Sequence, residues 1–331
     1  MKAIVQNKYG AAEDSLELKD VEKPVPKDDE VLVKIYAASV NYSNTAFVRG
    51  KPFIVRMMGS GIFKPKCSIL GTDIAGQVEV AGKYATQFQP GDAVYGDLSD
   101  CGRGGYAEYV AVPENALALK PANMTFEEAA VVPEAAVVAL QGLRDSGQIQ
   151  SGQKVLIVGA SGGIGTFAVQ IAKSFGAVVT GVCSTRNVDM VRSIGADYVI
   201  DYTQEDFTQN GQCYDLILAT AGYRSLFDYA RALCPGGRYV VTGGSLTQVF
   251  QPMALGPWVS KSGGKKMSNL MVRLNQEDLY FMKELIEANK VVSVIDRCYP
   301  LSEVAEAISY YAEGRSRGKV VIKVVDESKG S

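Results

Sequence analysis

The stretch with the clearest capacity for chemistry runs from Lys154 to Gly165, KVLIVGASGGIG. An apolar, β-branched run passes into a glycine-rich turn, and Phe167, Ala168, Ile171, Ala172 and Phe175 then recur at helical spacing. A helix that starts there points its unpaired N–H groups and positive dipole end back at the turn, where a pyrophosphate can sit. Of the fingerprint G-x-G-x-x-G, Gly162 and Gly165 are present and Ala160 stands in the first place. An ordinary strand-to-helix turn would show a similar pattern. The strand-like Val178–Val182 beyond the helix completes a unit of about 30 residues and favours dinucleotide binding. Ala160, Ser161, Gly162, Gly163 and Ile164 are the candidate pyrophosphate residues.

The end of that second strand bears on which dinucleotide. An enzyme using NADH usually places an acid there to hold the ribose 2′-hydroxyl. This chain has Cys183-Ser184-Thr185-Arg186-Asn187, with Asp189 beyond the position. Ser184, Thr185 and Arg186 offer donors to a 2′-phosphate, at ~1.5–3 kcal/mol for each charge-assisted bond. NADPH is the expected cofactor; a polar turn with a solvated arginine is the alternative.

Histidine is absent from all 331 residues, which excludes a histidine base, a Ser-His-Asp triad and histidine-ligated zinc. Cys67, Cys101, Cys183, Cys213, Cys234 and Cys298 form no C-x-x-C pair and read as isolated, reduced thiols. No metal site is expected. A net charge of −2 gives no bias toward nucleic acid or an anionic membrane. The most apolar longer run, Ala129–Leu140, is too short to span a bilayer and is interrupted by Pro133 and Glu134. The opening residues enter strand-like sequence without a signal-peptide pattern, so a cytoplasmic protein with no transmembrane segment is expected.

These residues need a scaffold. Strand signals cluster first, at Lys2–Gln6, Ser15–Val21, Val31–Ala38, Ile74–Val80, Ala93–Tyr95 and Tyr106–Val112. Thr125 with Glu128 forms a capping-box pattern, and an alanine- and valine-rich helix is expected from there toward Leu143. Strands at Val178–Val182, Tyr198–Ile200, Leu216–Thr220, Tyr239–Thr242 and Asn269–Arg273 then alternate with helical stretches, as in a doubly wound parallel sheet. A helix over Gln276–Asn289, another over Ser302–Ala312 and a strand over Lys319–Val324 lead back to the first domain. The expected fold is α/β, with a β-rich domain over 1–122 completed by 275–331 and a nucleotide domain over 123–274. Glu327–Ser331 reads as an unstructured tail.

The chain resembles the zinc-free quinone oxidoreductase branch of the medium-chain dehydrogenases/reductases over nearly its full length. The resemblance rests on Ser39-Val40-Asn41, Gly71-Thr72-Asp73-Ile74-Ala75-Gly76, Pro90-Gly91-Asp92, Gly105-Tyr106-Ala107-Glu108 and Leu140-Gln141-Gly142-Leu143. It continues through the Ala160–Gly165 turn, Gly195-Ala196-Asp197, Pro235-Gly236-Gly237 and Gly318-Lys319-Val320-Val321. It implies a GroES-like catalytic domain plus a Rossmann domain with the active site in a cleft between them, often as a homodimer, in which NADPH reduces quinones or the C=C bond of α,β-unsaturated carbonyls. Zinc-containing cousins carry Gly-His-Glu where this chain has Gly71-Thr72-Asp73. By the same likeness Asn41 lies near the nicotinamide ribose, Tyr202 beside the 2′-phosphate, and Thr220-Ala221-Gly222 near the nicotinamide. Ala46 and Tyr42 depart from relatives that carry tyrosine and proline there.

Hydride transfer needs an electron-poor carbon held against the nicotinamide and donors facing the oxygen that gains charge. Backbone N–H groups, the cofactor 2′-hydroxyl, Asn41, Tyr42 or Ser43 can supply these donors, and water can deliver the proton; Asn41 is equally suited to closing a loop, and Tyr42 and Ser43 read foremost as loop or packing residues. Phe53, Met57, Met58, Phe63, Phe250, Met253 and Trp258 are candidates for an apolar substrate cleft, or for core. A zinc-independent alcohol or aldehyde oxidoreductase and an NADPH-binding sensor with little turnover are the other functions compatible with the sequence.

Overall fold

The computed structural model describes residues 1–53, 55–57, 61–66, 68–243, 251 and 264–325. Cys67, Met58, Phe250, Met253, Trp258 and the Glu327–Ser331 tail lie outside the described residues. The chain divides into two compact units, one of Met1–Glu134, Leu274–Glu287 and Ile295–Ser331, the other of Ala135–Arg273 and Ala288–Val294.

The first unit begins with a hairpin-like antiparallel pair, β1 (Lys2–Gln6) and β2 (Leu16–Asp20), joined through the short α1 (Ala12–Ser15). Its main sheet is built on β3 (Glu30–Val40), whose burial is nearly continuous. On one side β3 pairs with β4 (Asp73–Ala81). On the other, its first half pairs with β6 (Tyr109–Pro113) and its second half with β15 (Lys319–Lys323). The strands β5 (Ala93–Asp97), β7 (Leu117–Leu119) and β14 (Ile295–Pro300) extend the sheet to the order β14-β15-β3-β4-β5-β7. The tail strand β15 thus fills a place beside β3, and only a discontinuous chain could put it there. Val33, Ile35, Ile74, Val94, Leu117, Val320 and Ile322 form part of one buried core with Val304, Ala307 and Ile308 of a tail helix. Helices α2 (Tyr42–Arg49) and α3 (Phe126–Ala130) complete the part that matters here.

The expected long helix from Thr125 is two helices. The Thr125 capping box forms as expected and opens α3. At Val131–Val132 the chain leaves the helix, because Pro133 lacks an N–H and disfavours helical geometry in the residue before it. Pro133 then serves as the first residue of α4 (Pro133–Gln141), where a missing N–H costs nothing. This break places Glu134 at the head of a helix.

In the second unit six strands run parallel in the order β10-β9-β8-β11-β12-β13. They are β8 (Lys154–Val158), β9 (Val178–Cys183), β10 (Tyr198–Asp201), β11 (Tyr214–Ala219), β12 (Leu233–Val241) and β13 (Lys266–Asn269). Between them lie α5 (Gly163–Ser174), α6 (Val188–Ser193) and α7 (Leu226–Ala232); α8 (Gln276–Glu287) and α9 (Val304–Ala312) belong to the first unit. The strand order reverses between β8 and β11, the switch point at which doubly wound sheets bind ligands.

Two further expectations need correction. The strand expected at Asn269–Arg273 lies earlier, at Lys266–Asn269. Past Leu270, whose N–H still donates to Val241, the backbone of Arg273 is held by the Gln141 side-chain amide, which donates at 2.6 Å and accepts at 3.0 Å. Cys213 and Cys234, expected as separate reduced thiols, form a disulfide. The parallel pairing of Tyr214 with Leu233 brings their neighbours together, with Cα atoms 5.0 Å apart. Cys101, Cys183 and Cys298 are free thiols. Among the described residues, no helix is long and apolar enough to cross a membrane.

Candidate active site

At the switch point β8 ends on Gly159, whose φ of 84° is left-handed and whose added Cβ would meet Thr220 Oγ1 at 2.7 Å and Ala221 Cβ at 2.8 Å. Gly159, Gly165 and Gly162 of the turn are needed for different reasons. At Gly165 a Cβ would meet the Gly159 carbonyl oxygen at 2.0 Å, so that glycine sets how closely α5 approaches β8. At Gly162, the N-cap of α5, a Cβ would find only the Gly159 oxygen, at 3.5 Å. The protein leaves that space open beside the first-turn N–H groups, which suits a pyrophosphate. Ala160 is fully buried, and Gly181 of β9 makes room for it, an added Cβ there lying 3.1 Å from that of Ala160. The missing first glycine is thus compensated on the neighbouring strand.

Around this turn the structure gathers several expected residues. Ser161 accepts a hydrogen bond from Asn187 Nδ2 at 3.0 Å, and the same amide reaches Ser184 Oγ at 3.2 Å. Asn187 therefore ties the β8 turn to the end of β9; it is buried, and its Oδ1 has no hydrogen-bond partner. Sequence reasoning quoted Asn187 but gave it no role, since its partners come from two different loops. Thr220 Oγ1 donates to the carbonyls of Val158 and Gly159, and the Gly222 N–H donates to Gly243. Thr220 and Gly222 thus brace the switch point, with Ala221 exposed beside them.

At the far end, Ser184 is half-buried and Thr185 and Arg186 are exposed. Tyr202 is half-exposed against Tyr223, and its N–H donates to the Cys183 carbonyl. An acid does stand here, supplied by the next strand: Asp201 of β10 accepts the Thr185 hydroxyl at 2.6 Å. It also accepts from the Thr203 N–H and hydroxyl and from Gln204. The Thr185 hydroxyl leads these bonds, which hold the Asp201 carboxyl below the usual range.

The first unit builds a second polar centre, and here Asn41 is found. Asn41 is buried ahead of α2, and its amide is enclosed: Nδ2 donates to Thr72 Oγ1 at 3.2 Å and to Asp73 Oδ2 at 2.9 Å, while Oδ1 accepts from the Lys319 ammonium. The expected catalytic asparagine thus organises a cluster. Tyr42 is exposed at the start of α2, and Ser43 is half-buried with its hydroxyl donating to Glu134 Oε2 at 3.2 Å. Asp73 also accepts from Ser39 and from the Glu134 N–H. Lys319, 2% exposed, lies 3.8 Å from Asp73 Oδ2. Phe53, Met57 and Phe63 are exposed.

Asp73, Asp97 and Glu134 each bring one oxygen within 4.8 Å of the others. Burial, then the neighbouring carboxylates, push their acids up, to about 6 for Asp73 and about 7 for Asp97 and Glu134, with Lys319 opposing the rise in Asp73 and Glu134. The Lys319 ammonium is pushed down by its burial, against the three carboxylates. Interacting this closely, they share their protons as a unit. A catalytic zinc centre takes histidine or cysteine ligands, with a carboxylate beside them in some sites. With no histidine in the chain, carboxylate oxygens only, and an ammonium already among them, this centre does not fit that metal.

Such a pairing, a parallel nucleotide sheet with a glycine cradle plus a separate β-rich unit, defines a pyridine-nucleotide oxidoreductase architecture. A family model described as alcohol dehydrogenase GroES-like domain matches residues 27–122, and one described as zinc-binding dehydrogenase matches 194–322. The chain is 32% identical to a chloroplast envelope quinone oxidoreductase homolog of Arabidopsis thaliana, with 98% of each chain covered. It is 34% identical to the 2-methylene-furan-3-one reductase of Solanum lycopersicum, covering 97% of this chain and 79% of that one. A quinone oxidoreductase structure from Coxiella burnetii superposes with a TM-score of 0.86 at 28% identity, over 98% of this chain and 99% of the other. The chain belongs to the quinone oxidoreductase branch of the medium-chain dehydrogenases/reductases. It is an oxidoreductase that uses a nicotinamide cofactor.

Proposed function

We propose that the protein reduces quinones or the C=C bond of α,β-unsaturated carbonyls with NADPH, without a zinc centre. The observation that carries this reading is the open cradle at Gly162, at a switch point, in a chain whose buried carboxylate centre offers no nitrogen or sulfur ligand and already holds an ammonium. The names borne by the Arabidopsis and tomato relatives support the substrate class.

When bound, the reduced nicotinamide supplies the hydride. The Ala160–Ile164 turn holds the pyrophosphate through the N–H groups of Gly163 and Ile164, and the Thr220 hydroxyl keeps that turn in shape. Ser184, Arg186 and Tyr202 receive the 2′-phosphate. Asp201 stands close, but its oxygens are engaged by four donors from Thr185, Thr203 and Gln204, which spreads its charge. In the first unit, Asn41 holds the chain entering α2 so that Tyr42 and Ser43 present hydroxyls to the substrate oxygen.

The test is NADPH oxidation against an ortho-quinone, an alkenal, an enone and a simple aldehyde, with a chelator present throughout. Turnover of a quinone or an enone at full rate is expected. Loss of activity in chelator, or turnover of the aldehyde alone, would overturn the reading.

A further inference from the structure

We propose that Glu134 stores the proton consumed in the reduction and that Ser43 passes it to the substrate. The proposal deepens the function above and rests on its reading that Ser43 meets the substrate oxygen.

Reduction of a conjugated carbonyl takes one hydride and one proton. Once the hydride has formed the new C–H bond at the β-carbon, the π pair of the C=C bond has moved toward the carbonyl oxygen. That oxygen forms its O–H bond with the Ser43 proton while the Ser43 O–H bond breaks, and Ser43 Oγ takes the proton of Glu134. The enol then rearranges to the saturated carbonyl. Glu134, left as a carboxylate, recovers its proton from solvent, so the balance is NADPH, one proton and the enone going to NADP+ and the saturated carbonyl. For a quinone, the same proton completes the hydroquinone.

Three observations support the pair. Ser43 Oγ lies 3.2 Å from Glu134 Oε2, within proton-transfer reach; the hydroxyl donates to the carboxylate, and with the acid protonated and the Ser43 hydroxyl turned to the substrate the same contact carries the proton from Glu134 to Ser43. Thr72 Oγ1, fully buried, donates to the same Glu134 oxygen at 3.4 Å and helps hold the carboxyl in place. Finally, three carboxyls crowd against one ammonium, and buried Asp97 Oδ2 has no hydrogen-bond partner, so the charges balance only with protons retained.

The groups facing Glu134 are Asp73 of β4, Asp97 of β5, Lys319 of β15 and Tyr311 of α9, with the Tyr106 phenol beside Asp73. Tyr106 and Tyr311 hold their protons well above neutrality, Tyr311 up to about 12. The acid of Glu134 is raised to about 7, so the donor form is present below that pH and is lost as the pH rises through it.

The experiment compares wild type with Glu134→Gln, Glu134→Asp and Ser43→Ala. Turnover is measured from pH 5.5 to 9, NADPH binding by fluorescence, and the carboxylic-acid C=O stretch by infrared titration. Wild-type kcat should fall as pH rises through about 7. In Glu134→Gln and Ser43→Ala kcat should drop about tenfold or more, with NADPH affinity unchanged. The limb near neutrality should vanish in Glu134→Gln and return in Glu134→Asp. A protonated-carboxyl band titrating near neutrality in wild type should be missing from Glu134→Gln. Normal turnover and pH profile in folded Glu134→Gln, or no missing band, would overturn the relay alone. No turnover by wild type with any quinone or enone would overturn the parent reading, and the relay with it.

Discussion

Asn41, Asp73, Glu134 and Lys319 show how far residue type by itself can mislead. Asn41 was singled out as a catalytic candidate, yet its amide is spent on Thr72, Asp73 and Lys319. What it contributes is order in a buried charge cluster, and the hydroxyls that follow it belong to exposed Tyr42 and half-buried Ser43. Glu134 carried no signal in the sequence except as an interruption of an apolar run, because its partners lie on β4, β5, β15 and α2. At the other site, the prediction about cofactor choice also belongs to single side chains. Replacing Arg186 with aspartate removes the donor proposed for the 2′-phosphate and adds a negative charge to the segment that carries Thr185, the partner of Asp201. The NADPH/NADH ratio of kcat/KM should fall by roughly tenfold or more. An unchanged ratio would take Arg186 out of the account and leave Ser184 and Tyr202 as the phosphate contacts.

The element proposed to hold the cofactor is the β8 turn with α5, and its glycines differ in what surrounds them. Gly165 faces backbone 2.0 Å from its would-be Cβ, whereas Gly162 faces open space. Gly165→Ala should therefore push α5 off β8 and destabilise the protein by about 1–3 kcal/mol, seen as an earlier urea midpoint. Gly162→Ala should melt within a degree or two of wild type but bind NADPH at least tenfold more weakly, since the methyl occupies the phosphate cradle. Equal loss of stability in both would show that the Gly162 space is structural. The turn was legible in sequence because glycine patterning and helical periodicity are local. The break at Pro133 was legible in principle too, since proline acts on its own backbone and on the residue before it. The Gln141 clasp on Arg273 was not, because it joins residues 132 apart.

At the scale of the molecule, each unit has its own core, and the Cys213–Cys234 disulfide belongs wholly to the nucleotide unit. Closing a loop of 21 residues is worth about 3 kcal/mol in the chain-entropy model. Cys213→Ser should therefore lower the melting temperature of the oxidised protein to that of the wild type in reductant, and reductant should then have no further effect on the variant. A wild-type melt indifferent to reductant would show that the bridge contributes nothing.

Sequence alone determined what depends on near neighbours: the strand periods, the glycine turn, the Thr125 cap, the return of the tail, and the exclusion of histidine chemistry. A family resemblance spread over many short motifs extended this to the architecture. Tertiary structure alone decided which side chains meet. It brought Asp201 to Thr185 through the β9–β10 pairing, joined two cysteines through the β11–β12 register, and packed three carboxyls around one lysine from separate strands and a helix. Those contacts join residues from 16 apart, Thr185 and Asp201, to 246 apart, Asp73 and Lys319. Their charges and protonation follow from burial and proximity, which arise only when the chain has folded.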